Sequence, residues 1–107
     1  MELLFSEGKS AAAYPLKIMF LETKEELNFP AQAMFVVPKR NFKKAHDRNR
    51  LKRRMKEAYR LTKRRFYELL RGADKKFIMA FIFTSRKEEE YVAIESAIAR
   101  LIEKPLK

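Results

Sequence analysis

The stretch KRNFKKAHDRNRLKRRMKEAYRLTKRRFYELLR, residues 39–71, decides how this chain folds. Within it Leu51, Met55, Ala58, Tyr59, Phe66, Leu69 and Leu70 recur, with Thr62, at steps of three and four, which at 3.6 residues per turn puts them on one stripe. A long helix with one buried face is predicted. Leu61 widens the stripe, and Thr62 is tolerable there because its hydroxyl can bond a carbonyl one turn back. The stretch holds fifteen Lys or Arg against three acids, Asp47, Glu57 and Glu68, a balance of +12 when the whole chain carries +11. Of the chain's 25 bases and 14 acids, ten and eleven remain for the rest, so the charge belongs to one element.

For folding alone this is a poor design. Like charges at i,i+3 and i,i+4, such as Arg50 with Arg53 and Arg54, or Lys52 with Lys56, each cost about 0.2–0.5 kcal/mol. The first turn of a helix is its positive end and favours acids, yet after a cap expected at Asp47 the chain places Arg48, Arg50, Lys52 and Arg53. A merely solvated helix would interleave Glu with Lys. A polyanion lying against this face removes the conflict, because backbone amides and side chains then point at the same phosphates.

Going outward, 107 residues with 47% hydrophobic content make one domain, 1–107, with a single core. Cysteine is absent, so disulfides and thiolate metal sites are excluded, and no apolar run reaches the ~18–20 residues of a membrane span. The N-terminus lacks the basic-then-apolar layout of a secretory signal, and a cytoplasmic setting is expected. A pI near 10.1 points first to nucleic acid.

In chain order, residues 2–7 form a short helix stopped at Gly8, followed by the small residues 9–14. Leu16, Ile18 and Phe20 alternate with Lys17 and Met19 as in a strand, and residues 22–30, with Glu25 and Glu26, read as a turn. Residues 32–37 form a second strand closed by Pro38, and the two strands are expected to pair as a hairpin. The basic loop 39–46 leads into the long helix, whose end is expected at Gly72. Residues 77–84, apolar almost throughout, suit a central strand, and Ser85 with Glu88 resembles a capping box for a last helix carrying Tyr91, Ile94, Ala97, Ile98, Leu101 and Ile102. The class is α+β, helices packed on a small sheet.

An enzyme working through its own side chains has little to build on here. His46 is the one histidine, and a turn position or phosphate contact suits it better than acid–base work. Glu88, Glu89 and Glu90 sit where a helix start favours acids, and the two glycines cannot make a phosphate loop. The five methionines and Phe77, Phe81 and Phe83 read as core, with Met19 set apart on the strand face beside Lys17.

The run from Ala45 to Arg60, with Arg48-Asn49-Arg50, Leu51, Lys52-Arg53 and Glu57-Ala58-Tyr59, resembles the signature of the protein subunit of bacterial ribonuclease P, and Val36-Val37-Pro38-Lys39-Arg40 resembles the strand and loop before it. The resemblance implies a two-layer α/β sandwich, a ribosomal-protein-like domain. Its small mixed sheet has about four strands, with the strands flanking the basic helix parallel through a left-handed crossover. It implies a binding subunit, without catalytic groups or cofactor of its own, for a catalytic RNA that holds Mg²⁺ and removes the 5′ leader of precursor tRNA. By position Arg48, Asn49, Arg50, Lys52, Arg53, Lys56 and Arg60 contact that RNA, and the same basic surface takes in Lys39, Arg40 and Arg64. Phe5, Lys17 and Met19 would line a cleft for the single-stranded leader; where the family often has an aromatic at the Met19 position, a thioether contact replaces base stacking. A monomer in a 1:1 complex with the RNA is expected, with neither DNA nor membrane as partner. The rival reading is a general ribosomal-RNA-binding protein. A DNA regulator would show dimer heptads or a turn-helix pair, and a membrane-surface helix would need its apolar stripe free of the sheet.

Overall fold

A computed structural model describes residues 2–24 and 30–106, the side chains of Glu2, Leu3 and Phe5 excepted. The elements run α1 (Glu2–Glu7), β1 (Lys9–Ala13), β2 (Leu16–Glu22), β3 (Ala31–Val36), α2 (Ala45–Ala73), β4 (Phe77–Phe83) and α3 (Tyr91–Leu101), with a 3₁₀ turn at Lys104–Leu106. The four strands form one mixed sheet in the order β1-β2-β4-β3. Strand β4 sits inside it because Phe77, Met79, Ala80, Phe81 and Phe83 are all buried, so both its faces and both its edges need neighbours. It runs antiparallel to β2, with Ile18 opposite Phe81, and parallel to β3, with Phe35 opposite Phe81.

That order overturns the expected hairpin. Strands β2 and β3 do not pair, since β4 lies between them, and the partner that β2 takes on its other side is β1. The β1–β2 hairpin turns at Tyr14-Pro15, whose peptide bond is cis. Its small residues carry no hydrophobic alternation, which hides the strand in the sequence, yet Ala11 and Ala13 pack on the core and let α3 lie over β1 and β2. Helix α2 lies beside α3 and over β3.

The predicted stripe of α2 is the buried one: Leu51, Met55, Ala58, Tyr59, Phe66 and Leu70 face the sheet, and Thr62 Oγ1 donates to the Ala58 carbonyl at 3.0 Å. Tyr59, Phe35 and Phe81 meet ring to ring at 5.6–5.7 Å, tying helix, edge strand and central strand at one point. Such aromatic contacts add about 0.5–1.5 kcal/mol each beyond area burial. Leu61 and Leu69 are partly exposed, at 55% and 43%, so the stripe is narrower than its apolar residues suggest.

Three helix ends differ from expectation. Helix α2 starts at Ala45 with Lys44 as an N-cap lacking a side-chain bond, and Asp47 falls in the first turn instead of capping it. The end lies past Gly72, at Asp74, whose φ of 54° is left-handed and whose amide reaches the Arg71 and Leu70 carbonyls. An aspartate tolerates that conformation through its short polar side chain, leaving Gly72 inside the helix. Finally, Ser85 and Glu88 form no capping box: α3 starts at Tyr91 after Glu90, and Ser85 Oγ accepts the Lys87 amide at 3.2 Å and the Tyr14 hydroxyl at 3.0 Å. The loop holds itself and the β1–β2 turn rather than the helix end.

On the second face of the sheet Ala80 is buried, and α1 packs on β2 there, with Leu4 buried apart from the main core. Gly8 is required at that junction, because a Cβ would strike the Leu4 carbonyl and stand 3.1 Å from the Phe20 carbonyl oxygen. The turn of residues 25 and 26 lies outside the described residues.

Candidate nucleic-acid interface

Burying Leu51, Met55, Tyr59 and Phe66 against the sheet fixes which side of α2 faces solvent. The cations on it fall into two groups. Lys52 is half-buried, and Arg53 and Lys56 are exposed with Asn49 on the outer face; none of the three cations makes an ion pair among the described residues. In the loop before the helix, Lys39 and Arg40 are exposed and equally unpaired among the described residues.

The other cations already hold partners. Arg48 Nη1 donates to the Phe42 and Lys43 carbonyls at 2.7 and 2.9 Å, fastening the basic loop to the helix start. Arg50 pairs with Glu88 at 2.9 Å, and Arg60 holds Glu57 through two bonds, Nε–Oε2 at 3.1 Å and Nη2–Oε1 at 2.6 Å. The hydrogen bonds from Arg60 keep the Glu57 carboxyl below its usual range and raise Arg60 in turn. Arg64 stands 4.0 Å from Glu68 and is 93% exposed, a pair of little consequence. His46 lies at the exposed helix start, 3.2 Å from Asp47.

Sequence spacing offers Glu57 to Arg60 and Glu68 to Arg64 within the helix, but it could not tell that Arg50 is engaged by Glu88. The partners Glu88 and Glu89 come from a distant loop. That loop also engages a residue outside the sequence-derived set: Arg54 Nη1 lies 3.4 Å from Glu88 and donates to the Glu89 carbonyl at 2.8 Å. The i,i+4 spacing of Arg50 and Arg54 was the available signal.

A second surface lies on the opposite face of the sheet. Lys17 and Met19 are half-buried neighbours on β2, Met19 across from Ser10 and Ala80, Lys17 across from Ala12 and Ile82. Met34 and Val36 of β3 continue the two rows, giving a shallow apolar strip with one cation. Helix α1 lies along it on β2, while the Phe5 side chain falls outside the described residues.

Among the described residues no cluster of three His, Cys, Asp or Glu could hold a metal ion, and no helix is long and apolar enough to cross a membrane. The arrangement presents a surplus of positive charge along α2 and a shallow, partly apolar strip with one cation across the second face.

Residues 2–105 match the sequence profile of the family described as Ribonuclease P. The chain is 30% identical over 97 residues, 91% of this chain and 71% of the relative, to the ribonuclease P protein component of Porphyromonas gingivalis. To that of Chlorobium phaeobacteroides it is 42% identical over 69 residues, 62% of this chain and 47% of the relative. In fold it is similar to the RNase P protein of Thermotoga maritima, solved in complex with 1-(4-fluorophenyl)-2-thiourea (TM-score 0.71, 21% identity, 96% of this chain and 91% of that one). It is similar likewise to that of Staphylococcus aureus (TM-score 0.75, 16% identity, 95% and 84%).

Proposed function

This chain belongs to the ribonuclease P protein family, and from that premise we propose that it is the RNA-binding subunit that helps a catalytic RNA remove the 5′ leader from precursor tRNA. The observation that carries the reading is the unpaired cationic side of α2. The cations Lys52, Arg53 and Lys56, and Lys39 and Arg40 in the adjoining loop, have no ion-pair partner among the described residues, so an external polyanion would relieve their mutual repulsion, with Asn49 beside them as a hydrogen-bonding group.

Arg48 acts differently from its neighbours. By gripping the Phe42 and Lys43 carbonyls it sets the loop so that Lys39 and Arg40 extend the surface of the helix, and Arg50, Arg60 and Arg64 add charge that an RNA phosphate must first draw away from a carboxylate. On the second face Lys17 and Met19, with Phe5 of α1, hold the single-stranded leader, Lys17 at a phosphate and Met19 against a base. The two surfaces occupy opposite sides of the sheet, so one monomer can contact the RNA and the leader at once in a 1:1 complex. The Mg²⁺ needed for hydrolysis is held by the RNA; the polypeptide positions substrate and neutralises phosphate.

Reconstitution tests this. The rigorously purified polypeptide alone should not cleave precursor tRNA, and adding a transcribed ribonuclease P RNA with low Mg²⁺ should give cleavage at the mature 5′ end. Sizing the RNA that co-purifies with the protein separates the rival: ribosomal RNA in place of one structured RNA of several hundred nucleotides overturns the assignment. Met19→Ala with Lys17→Ala should reduce the preference for precursor over mature tRNA while leaving RNA assembly unchanged, and equal losses in both would sink the two-surface reading.

A further inference from the structure

Arg50 and Arg54 stand one turn apart on the flank of α2 that faces α3, and one carboxylate oxygen serves both: Glu88 Oε1 lies 2.9 Å from Arg50 Nη1 and 3.4 Å from Arg54 Nη1. The loop that brings it is fastened by several bonds. Arg54 donates to the Glu89 carbonyl at 2.8 Å, Ser85 Oγ lies 3.1 Å from the Glu89 carboxylate, and the Tyr14 hydroxyl reaches Ser85 at 3.0 Å. Beside this pair is a hollow of about 360 Å³ lined by Arg50, Arg53, Arg54, Glu57 and Tyr91. The Tyr91 hydroxyl is buried with no hydrogen-bond partner, a loss that folding alone leaves uncompensated. Burial first, and then its interaction with the Glu95 carboxylate one turn along α3, raise the pKa of this phenol and keep it a donor.

Of the acids at the hollow, Glu57 is engaged by Arg60, and although Asp47 Oδ1 stands 3.9 Å from Arg50 Nη2, the carboxylate shared by Arg50 and Arg54 is that of Glu88. A carboxylate and a phosphate offer a guanidinium the same pair of acceptor oxygens. Glu88 is partly exposed, at 38%, and can swing into solvent, whereas the two arginines are held on the helix.

We propose that this hollow is a binding site for one RNA phosphate and that Glu88 stands in the phosphate's place in the free protein. The RNA backbone displaces Glu88 and takes Arg50, Arg54 and the Tyr91 hydroxyl, which in the free protein has the Glu95 carboxylate nearby. This rests on the RNA-binding reading of α2 and adds to it a defined site and a residue that lowers affinity for stray anions.

Two variants of the full chain test it, each measured by binding to transcribed ribonuclease P RNA across a salt series and by melting in sulfate against chloride at matched ionic strength. Glu88→Gln keeps an acceptor for the arginines but removes the charge. It should bind the RNA about two- to fivefold more tightly, with the salt slope steeper by about one, and show a larger sulfate-induced rise in melting temperature. Tyr91→Phe should melt no lower than the parent protein yet bind RNA about three- to tenfold more weakly. Unchanged or weaker RNA binding by a folded Glu88→Gln, with an unchanged sulfate response, overturns the proposal and leaves Glu88 a loop fastener. Tyr91→Phe that loses stability but not affinity overturns the role of the hydroxyl. Should the parent protein show no preference for ribonuclease P RNA over a control RNA, the functional reading fails while the sulfate comparison still decides the site.

Discussion

Two double substitutions that remove the same charge should affect RNA binding unequally. Arg53→Ala/Lys56→Ala and Arg60→Ala/Arg64→Ala each lower the net charge of +11 by two. Arg53 and Lys56 are exposed and unpaired among the described residues, whereas Arg60 is bound twice by Glu57 and Arg64 stands near Glu68. Each phosphate contact contributes about 0.7–0.9 to the slope of log K against log salt, so losing the first pair should flatten it by about 1.4–1.8. At about 0.15 M salt that slope is worth roughly fivefold in affinity per contact, some twenty- to thirtyfold for the pair. The second variant should flatten the slope by less than half as much, because those arginines must leave a carboxylate to meet a phosphate. Stability should move the other way. The first variant removes the like-charge neighbours Arg50–Arg53, Lys52–Lys56, Arg53–Lys56 and Lys56–Arg60 at about 0.2–0.5 kcal/mol each, roughly 1–2 kcal/mol in total, with a rise in Tm of about 4–8 °C per kcal/mol. Filter binding at five or six salt concentrations, with calorimetry on the same preparations, provides both readings. Equal slopes for the two variants would refute the division into free and engaged cations, and an unchanged slope for Arg53→Ala/Lys56→Ala would remove this face of α2 from the RNA interface.

Glycine substitutions should have opposite signs: Gly72→Ala, in open space within the last turn of α2, should stabilise by about 0.5–1 kcal/mol, whereas Gly8→Ala should destabilise by about 1–3 kcal/mol by forcing α1 off β2. Chemical denaturation measures both, and a destabilised Gly72→Ala would mean that the position needs a left-handed backbone after all. Tyr59, 7% exposed and donating to Tyr67 at 3.3 Å, has its pKa pushed well up by burial first and by that bond second. The unfolded phenol releases its proton near pH 10 while the folded one keeps it, so stability should be lost as pH rises above about 10, by about 1.4 kcal/mol per unit for this group. Urea titrations between about pH 9 and 11 should show Tyr59→Phe less stable at the lower pH but with a flatter alkaline decline; parallel curves would show that Tyr59 ionises freely in the fold.

Elements set by local chemistry were legible in the sequence. The 3.6-residue recurrence of Leu51, Met55, Tyr59 and Phe66 is a property of one helix, and so is the excess of Lys and Arg on its other side; both survive intact in the fold. The unbroken apolar run of β4 announced a central strand for the same reason, since a strand buried on both faces has no polar register to keep. Asp74 shows where such reasoning stops: glycine is the statistical choice for a left-handed helix end, but the left-handed residue is Asp74, two residues further on.

Pairing belongs to the tertiary structure alone. Nothing local in β2 or β3 records that β4, more than forty residues later, comes between them, and the alanines of β1 acquire strand character only because β2 offers an open edge. The functional surface divides in the same way. The sequence determined that residues 39–71 carry a surplus of positive charge, because charge is counted residue by residue. Arg60 and Arg64 meet acids of their own helix, but whether Arg50 and Arg54 are free depended on where the fold brought Glu88 and Glu89, because an ion pair forms only between groups a few ångströms apart, and that distance is set by how α3 and its loop dock on α2.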